Sequence, residues 1–295
     1  MILEDGVIVI QCKKMRYITI VFFLLLPLLV SAQASGGQIK RNRITAPNKS
    51  KIVSRSPQKN TTISNKEQIV KNLIKNMVYV EGGTFIMGAT NEQIDDAYVD
   101  EYPVHEVTLS SFFIGKYEVT QEEWQLVMGN NPSDNIGKRL PVEKIDWYDC
   151  HDFIEKLNMM TGKNFRLPTE AEWEFAARGG IKSQRNRYSG SNQLDVVAWF
   201  IDNSSNATHN VGLKSPNELG LYDMTGNVWE WCEDRYGEYD KYEQFAPIGP
   251  PFGSLHIIRG GGWESPSANC RTAVRRAIDP RYYSENIGFR LVLEE

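Results

Sequence analysis

Beyond Gly180 the sequence loses helical periodicity, and this limits the fold more than any other feature. Short apolar pieces at 196–200, 221–224 and 257–258 alternate there with stretches of Gly, Asn, Ser and Pro. Strand-like runs return only at 272–278 and 287–293. Trp, Tyr, Gly and Asn are abundant and no internal repeat is visible. This pattern predicts an α+β domain of modest helices and strands joined by long packed loops.

Before Gly180 the punctuation is sharper. Residues 77–88 alternate on both sides of Gly82-Gly83, which predicts a β-hairpin, and 106–119 predicts a further strand pair. Thr120-Gln-Glu-Glu123 is a capping box: the threonine oxygen accepts from an orphan amide while Glu123 reaches back. Its helix runs to Met128 and stops at Gly129. Asp146 caps the next helix, whose Trp147, Cys150, Ile154 and Leu157 fall on one face before Gly162 ends it. Thr169-Glu-Ala-Glu172 is a second capping box, and its helix ends at Gly179-Gly180.

The N-terminal stretch reads differently. Residues 18–30 are apolar, follow Lys13, Lys14 and Arg16, and lead into Ser31-Ala32-Gln33-Ala34. A basic start, an apolar core and a small-residue exit describe a secretory signal peptide over 1–32, with Met15 an alternative start. The run has 13 residues including a proline, short of the ~20 a spanning helix needs, so no membrane span is expected after cleavage. Localisation is therefore expected to be exported: periplasmic, cell-envelope or extracellular. Residues 33–75 carry ten Lys/Arg against one acid, Glu67, and are expected to be a basic flexible linker. The remaining domain, 76–295, is then acidic, which argues against a nucleic-acid partner. It holds Cys150, Cys232 and Cys270. An odd count in an oxidising compartment allows at most one bridge, with Cys232 a candidate partner for Cys270.

Four segments in this domain resemble, in order, the formylglycine-generating enzyme family, also called sulfatase-modifying factors. They are Glu81-Gly-Gly-Thr-Phe-Ile-Met-Gly88, Arg166-Leu-Pro-Thr-Glu-Ala-Glu-Trp-Glu174, Gly220-Leu-Tyr-Asp-Met-Thr-Gly-Asn-Val-Trp-Glu-Trp231 and Arg259-Gly-Gly-Gly-Trp263, with Gly288-Phe-Arg290 closing the series. The resemblance implies a C-type-lectin-like fold with little regular secondary structure. Its oxidase members convert a sulfatase cysteine to formylglycine with O₂ and copper, holding Cu(I) between two cysteines spaced C-x₄-C after the Arg-Gly-Gly segment. Soft Cu(I) prefers thiolates. Here the first position is Ser265 and the second Cys270, so Cys270 alone remains as a catalytic candidate and copper is not expected. The resemblance also implies a calcium site, with carboxylates from Asp223 and Glu230 and carbonyls from Gly226 and Val228. Such hard oxygen ligands suit calcium, which would be structural. The family's other calcium site is not expected, because Val197 stands where an asparagine ligand belongs.

These features predict an exported, non-oxidase binding or cell-envelope assembly module with a calcium-stabilised fold. Its partner is expected to be a protein or peptide, cell-envelope components or a sulfatase, contacted through aromatics around Trp263 and Tyr282-Tyr283. The competing expectation is a sulfatase-activating oxidase, supported by the near-complete framework.

Overall fold

The computed structural model describes residues 59–294, with side chains from Lys66 onward. The expected signal peptide and most of the expected linker lie outside the described residues. The linker's C-terminal part does not match its expectation. Helix α1 spans Lys59–Lys75, and Leu73 is buried in the cluster that holds Trp124 and Phe153, with Ile74 and Met77 packed against that cluster. Ile69, Val70, Leu73 and Ile74 form a narrow aliphatic stripe among the lysines. Overall basic composition concealed that stripe, because burial depends on one face.

Strands β1 (Met77–Val80), β2 (Gly83–Met87), β3 (His105–Leu109) and β4 (Phe112–Gly115) follow. β1 and β2 do not form the expected hairpin with each other, nor do β3 and β4. Instead β1 pairs antiparallel with β4 and β2 with β3, in one register carried across a corner. Gly82 makes that corner: a Cβ there would stand 2.5 Å from the Leu109 carbonyl oxygen, so the two arms could not approach. The corner sends each arm into a different sheet.

Three helices start and stop where their caps predict. Helix α2 (Gln121–Met128) starts at Thr120, α3 (Trp147–Thr161) at Asp146 and α4 (Glu170–Ala177) at Thr169, each with both capping-box bonds present. The remaining elements are short: β5 (Phe165–Arg166), α5 (Leu194–Val197), β6 (Trp229–Arg235), β7 (Gln244–Phe245), β8 (His256–Arg259), β9 (Arg275–Ile278), β10 (Ile287–Gly288) and β11 (Val292–Leu293). They build sheets in the orders β1-β4-β11-β5, β10-β6-β8-β9 and β2-β3-β7.

Helix α4 is buried along its whole length. It packs on β2, β6 and β8, and it carries three glutamates into the interior. Glu170 meets Arg275 at 2.6 and 2.8 Å, Glu172 meets Arg166 at 2.6 and 2.7 Å, and Glu174 meets Arg178 at 2.8 Å as well as Arg259. Two further pairs are fully buried, Arg271–Glu101 and Arg290–Glu230. Burial alone would raise the Glu174 pKa, but Arg178 and Arg259 outweigh it and hold the carboxylate below its usual value.

A buried ion pair is costly to break from one side. Arg271→Met should therefore destabilise the domain by about 3–5 kcal/mol, because it strands Glu101. The double variant Arg271→Met/Glu101→Leu should recover much of that loss, and urea denaturation reads both. A single variant within ~0.5 kcal/mol of the parent would show that the pair is not integral to the core.

Candidate functional site

The turn before β6 brings the distant sequence segments together. Asp223, Gly226 and Asn227 all adopt left-handed backbone conformations. Gly226 has no alternative residue, since a Cβ would fall 2.2 Å from the Trp199 carbonyl oxygen. Its amide donates to the Gly260 carbonyl at 2.9 Å, and the Trp263 amide donates to the Asn227 carbonyl at 2.7 Å. The Asn227 side chain accepts from the His209 amide at 2.9 Å and donates to Glu118 Oε2 at 2.8 Å. The segments 220–231 and 259–263, far apart in sequence, are thus one hydrogen-bonded unit.

The four residues implied for calcium are split by this arrangement. Asp223, Gly226 and Val228 lie on the turn itself. Asp223 accepts from the Gly212 amide through Oδ2 at 2.7 Å, while its buried Oδ1 has no protein partner. Glu230 is engaged elsewhere. Its Oε1 accepts from Arg290 Nη2 at 2.5 Å, and its Oε2 accepts from Arg290 Nε and Trp173 Nε1, each at 2.6 Å. Glu230 is thus already paired with a cation.

Glu118, which nothing in the spacing of the chain singles out, stands beside the turn. Its Oε1 accepts from the Val228 amide at 3.2 Å. Burial first, and then the charges of Asp223 and Glu230, push its carboxyl well above the usual range. Burial likewise raises Asp223 to about 6. Glu118, Asp223 and Glu230 thus form an acidic interior facing Arg290. Among the described residues, no three His, Cys, Asp or Glu side chains form a metal-binding group.

The second candidate is the segment after Gly261. Ser265 is buried, and its Oγ accepts from the Gly262 amide at 2.9 Å, closing the turn that leads to Pro266. A short 3-10 turn, Ser267–Cys270, follows. Cys270 packs among Tyr188, Leu194, Val197, Ala198 and Phe200. Burial pushes its thiol up to about 12. A hydroxyl held by a backbone amide and a protonated thiol in an apolar cluster do not fit a Cu(I) dithiolate. The aromatics expected to meet a partner differ in exposure: Tyr282 and Tyr283 are exposed, whereas Trp263 is half-buried, its Nε1 donating to the Glu285 carbonyl at 3.0 Å.

The Cys232–Cys270 bridge that the sequence left open is not formed. Cys150, Cys232 and Cys270 are all free and buried. Each belongs to a different apolar cluster. Burial raises the pKa of all three. A thiol reagent such as DTNB should accordingly leave the native domain unlabelled and modify all three thiols in guanidinium. Rapid native labelling that Cys270→Ser removes would place Cys270 in an open groove.

Comparison with known proteins accords with this geometry. The family described as sulfatase-modifying factor enzyme 1-like domain matches residues 62–295. Chaperone protein LppX of Paenibacillus barcinonensis is 35% identical over 283 residues, covering 79% of this chain and 91% of its own length. Serine/threonine-protein kinase pkn1 of Chlamydia caviae is 35% identical over 250 residues, 74% of this chain but only 38% of the kinase. The solved structure of Treponema denticola variable protein 1 superposes with a TM-score of 0.67 at 32% identity, over 74% of this chain and 94% of that one. With its sequence segments assembled around one turn and a match across most of its length, the chain belongs to the sulfatase-modifying factor enzyme 1-like family and has its irregular, C-type-lectin-like α+β fold.

Proposed function

We propose that this chain is a non-oxidase member of its family, an exported module that binds or assembles with protein partners. The observation that carries this reading is the state of the Ser265–Cys270 pair: Ser265 Oγ closes a turn and the Cys270 thiol is shut in an apolar cluster. An oxidase of this class needs two accessible thiolates to hold Cu(I), and one serine with one buried thiol cannot supply them. The framework around the pair is intact, which supports a retained binding role, since fold does not oblige catalysis. The similarity to a protein named a chaperone supports the same reading. Export is supported by the signal-like N-terminus.

Residues 33–295 incubated with Cu(I), oxygen and a Cys-x-Pro-x-Arg peptide should leave the peptide mass unchanged and take up no stoichiometric copper. Conversion of the cysteine to an aldehyde, abolished by Cys270→Ser, would overturn the reading and favour the sulfatase-activating oxidase.

A structural calcium ion is part of the same proposal. Asp223 and Glu118 would hold it with the Gly226 and Val228 carbonyls, while Glu230 stays with Arg290. The partnerless Asp223 Oδ1 and the excess of buried carboxylates over Arg290 support a cation here. At a dissociation constant of ~10⁻⁴–10⁻³ M, ~10 mM calcium should stabilise the domain by roughly 1–3 kcal/mol. Thermal unfolding in calcium against EGTA reads this, and Asp223→Asn should remove the difference. Equal midpoints in the two buffers would discard the ion.

A further inference from the structure

A cleft of about 610 Å³ opens between the loop that joins β6 to β8 and the start of α4. None of its lining residues belongs to the Ser265–Cys270 segment. Its volume is in the range of ligand sites. Its wall carries two large apolar side chains that folding leaves unused, Phe245 at 69% exposure and Ile248 at 73%. Between them Ala246 holds φ at +41°, a strained value for a residue with a side chain. β7 lies at the edge of the β2-β3-β7 sheet, so one side of its backbone is unpaired.

The polar part of the cleft is acidic. Glu238 and Asp240 are exposed on its rim, and Asp234 is buried at its base with Oδ2 accepting from the Glu170 amide at 2.9 Å. The cation nearest the base is already committed. Arg275 bonds both oxygens of Glu170 and also donates to the Gly237 carbonyl at 2.9 Å, leaving exposed Arg235 as the one uncommitted lining arginine. Burial, then the charge of Glu170, raises Asp234 to about 8. An incoming cation would relieve that penalty by stabilising the ionised carboxylate.

We propose that this cleft docks an extended segment of a partner protein carrying a lysine or arginine flanked by apolar side chains. The basic group would reach toward Asp234 between Glu238 and Asp240, the apolar neighbours would cover Phe245 and Ile248, and the backbone would run along the free edge of β7. An anionic lipid surface or a nucleic acid is disfavoured by the same acids, because like charges meet across the contact.

The test measures fluorescence anisotropy of the chain with a labelled Ile-Leu-Lys-Leu-Ile peptide, its counterpart with Glu in place of Lys, and labelled lysine amide. The lysine peptide should bind saturably, at least ~10-fold more tightly than either of the others. Binding should weaken in high salt. It should fall ~5-fold or more in Phe245→Ser/Ile248→Ser and in Glu238→Lys/Asp240→Lys. These four side chains are exposed, so the variants should fold, which circular dichroism would check. Equal binding of the two peptides, equal binding of lysine amide, no saturation up to ~1 mM, or variants that bind as the parent does would each overturn the proposal.

Discussion

Glu170 and Glu174 of α4 and Glu230 of β6, each closed by an arginine from the C-terminal third, hold this molecule in its shape. Glu170 takes Arg275, Glu174 takes Arg259, and Glu230 takes Arg290. Arg271 reaches back to Glu101 in the same manner. Pairs of this kind add little net stability over a hydrophobic substitute, because desolvation offsets attraction. Their value lies in direction. Each arginine also bonds backbone carbonyls, mostly of irregular segments: Arg259 takes those of Ala273 and Val274, and Arg290 takes those of Tyr222 and of Gly115 at the end of β4. Where no helix or ladder orders the chain, these forked donors set its course.

Single side chains serve the same purpose in the loops. Buried backbone polar groups must be paired, and long loops cannot pair them internally. Asn217 therefore donates to the Ala176 carbonyl and accepts from the amides of Leu219 and Leu221. Glu143 accepts from the amides of Asp134 and Asn135. Asn227 joins His209 to Glu118. The many asparagines and glycines of the sequence correspond to this demand: asparagine replaces a missing strand neighbour, and glycine lets two backbones touch.

The framework and the Ser265–Cys270 segment are held by different contacts. Every motif segment of the family contributes to the buried network or to the turn before β6, so the framework is under structural constraint whatever the chemistry. The positions of Ser265 and Cys270 are bound only by local packing: a turn-closing hydroxyl and a small apolar filler.

The sequence by itself determined the helix starts at Thr120, Asp146 and Thr169, the irregular α+β class and the family segments, because capping and periodicity act over three or four residues. Tertiary structure alone decided the rest. Strand partners were set by the corner at Gly82, which exchanged the expected hairpin for a ladder folded across two sheets. The stripe of α1 was hidden under its lysines until a core was present to receive Leu73. Glu230 went to Arg290, 60 residues away, and Glu118 came to Asp223 from a segment with no motif at all. Such pairings depend on which charges share a dry interior, and no spacing along the chain records that.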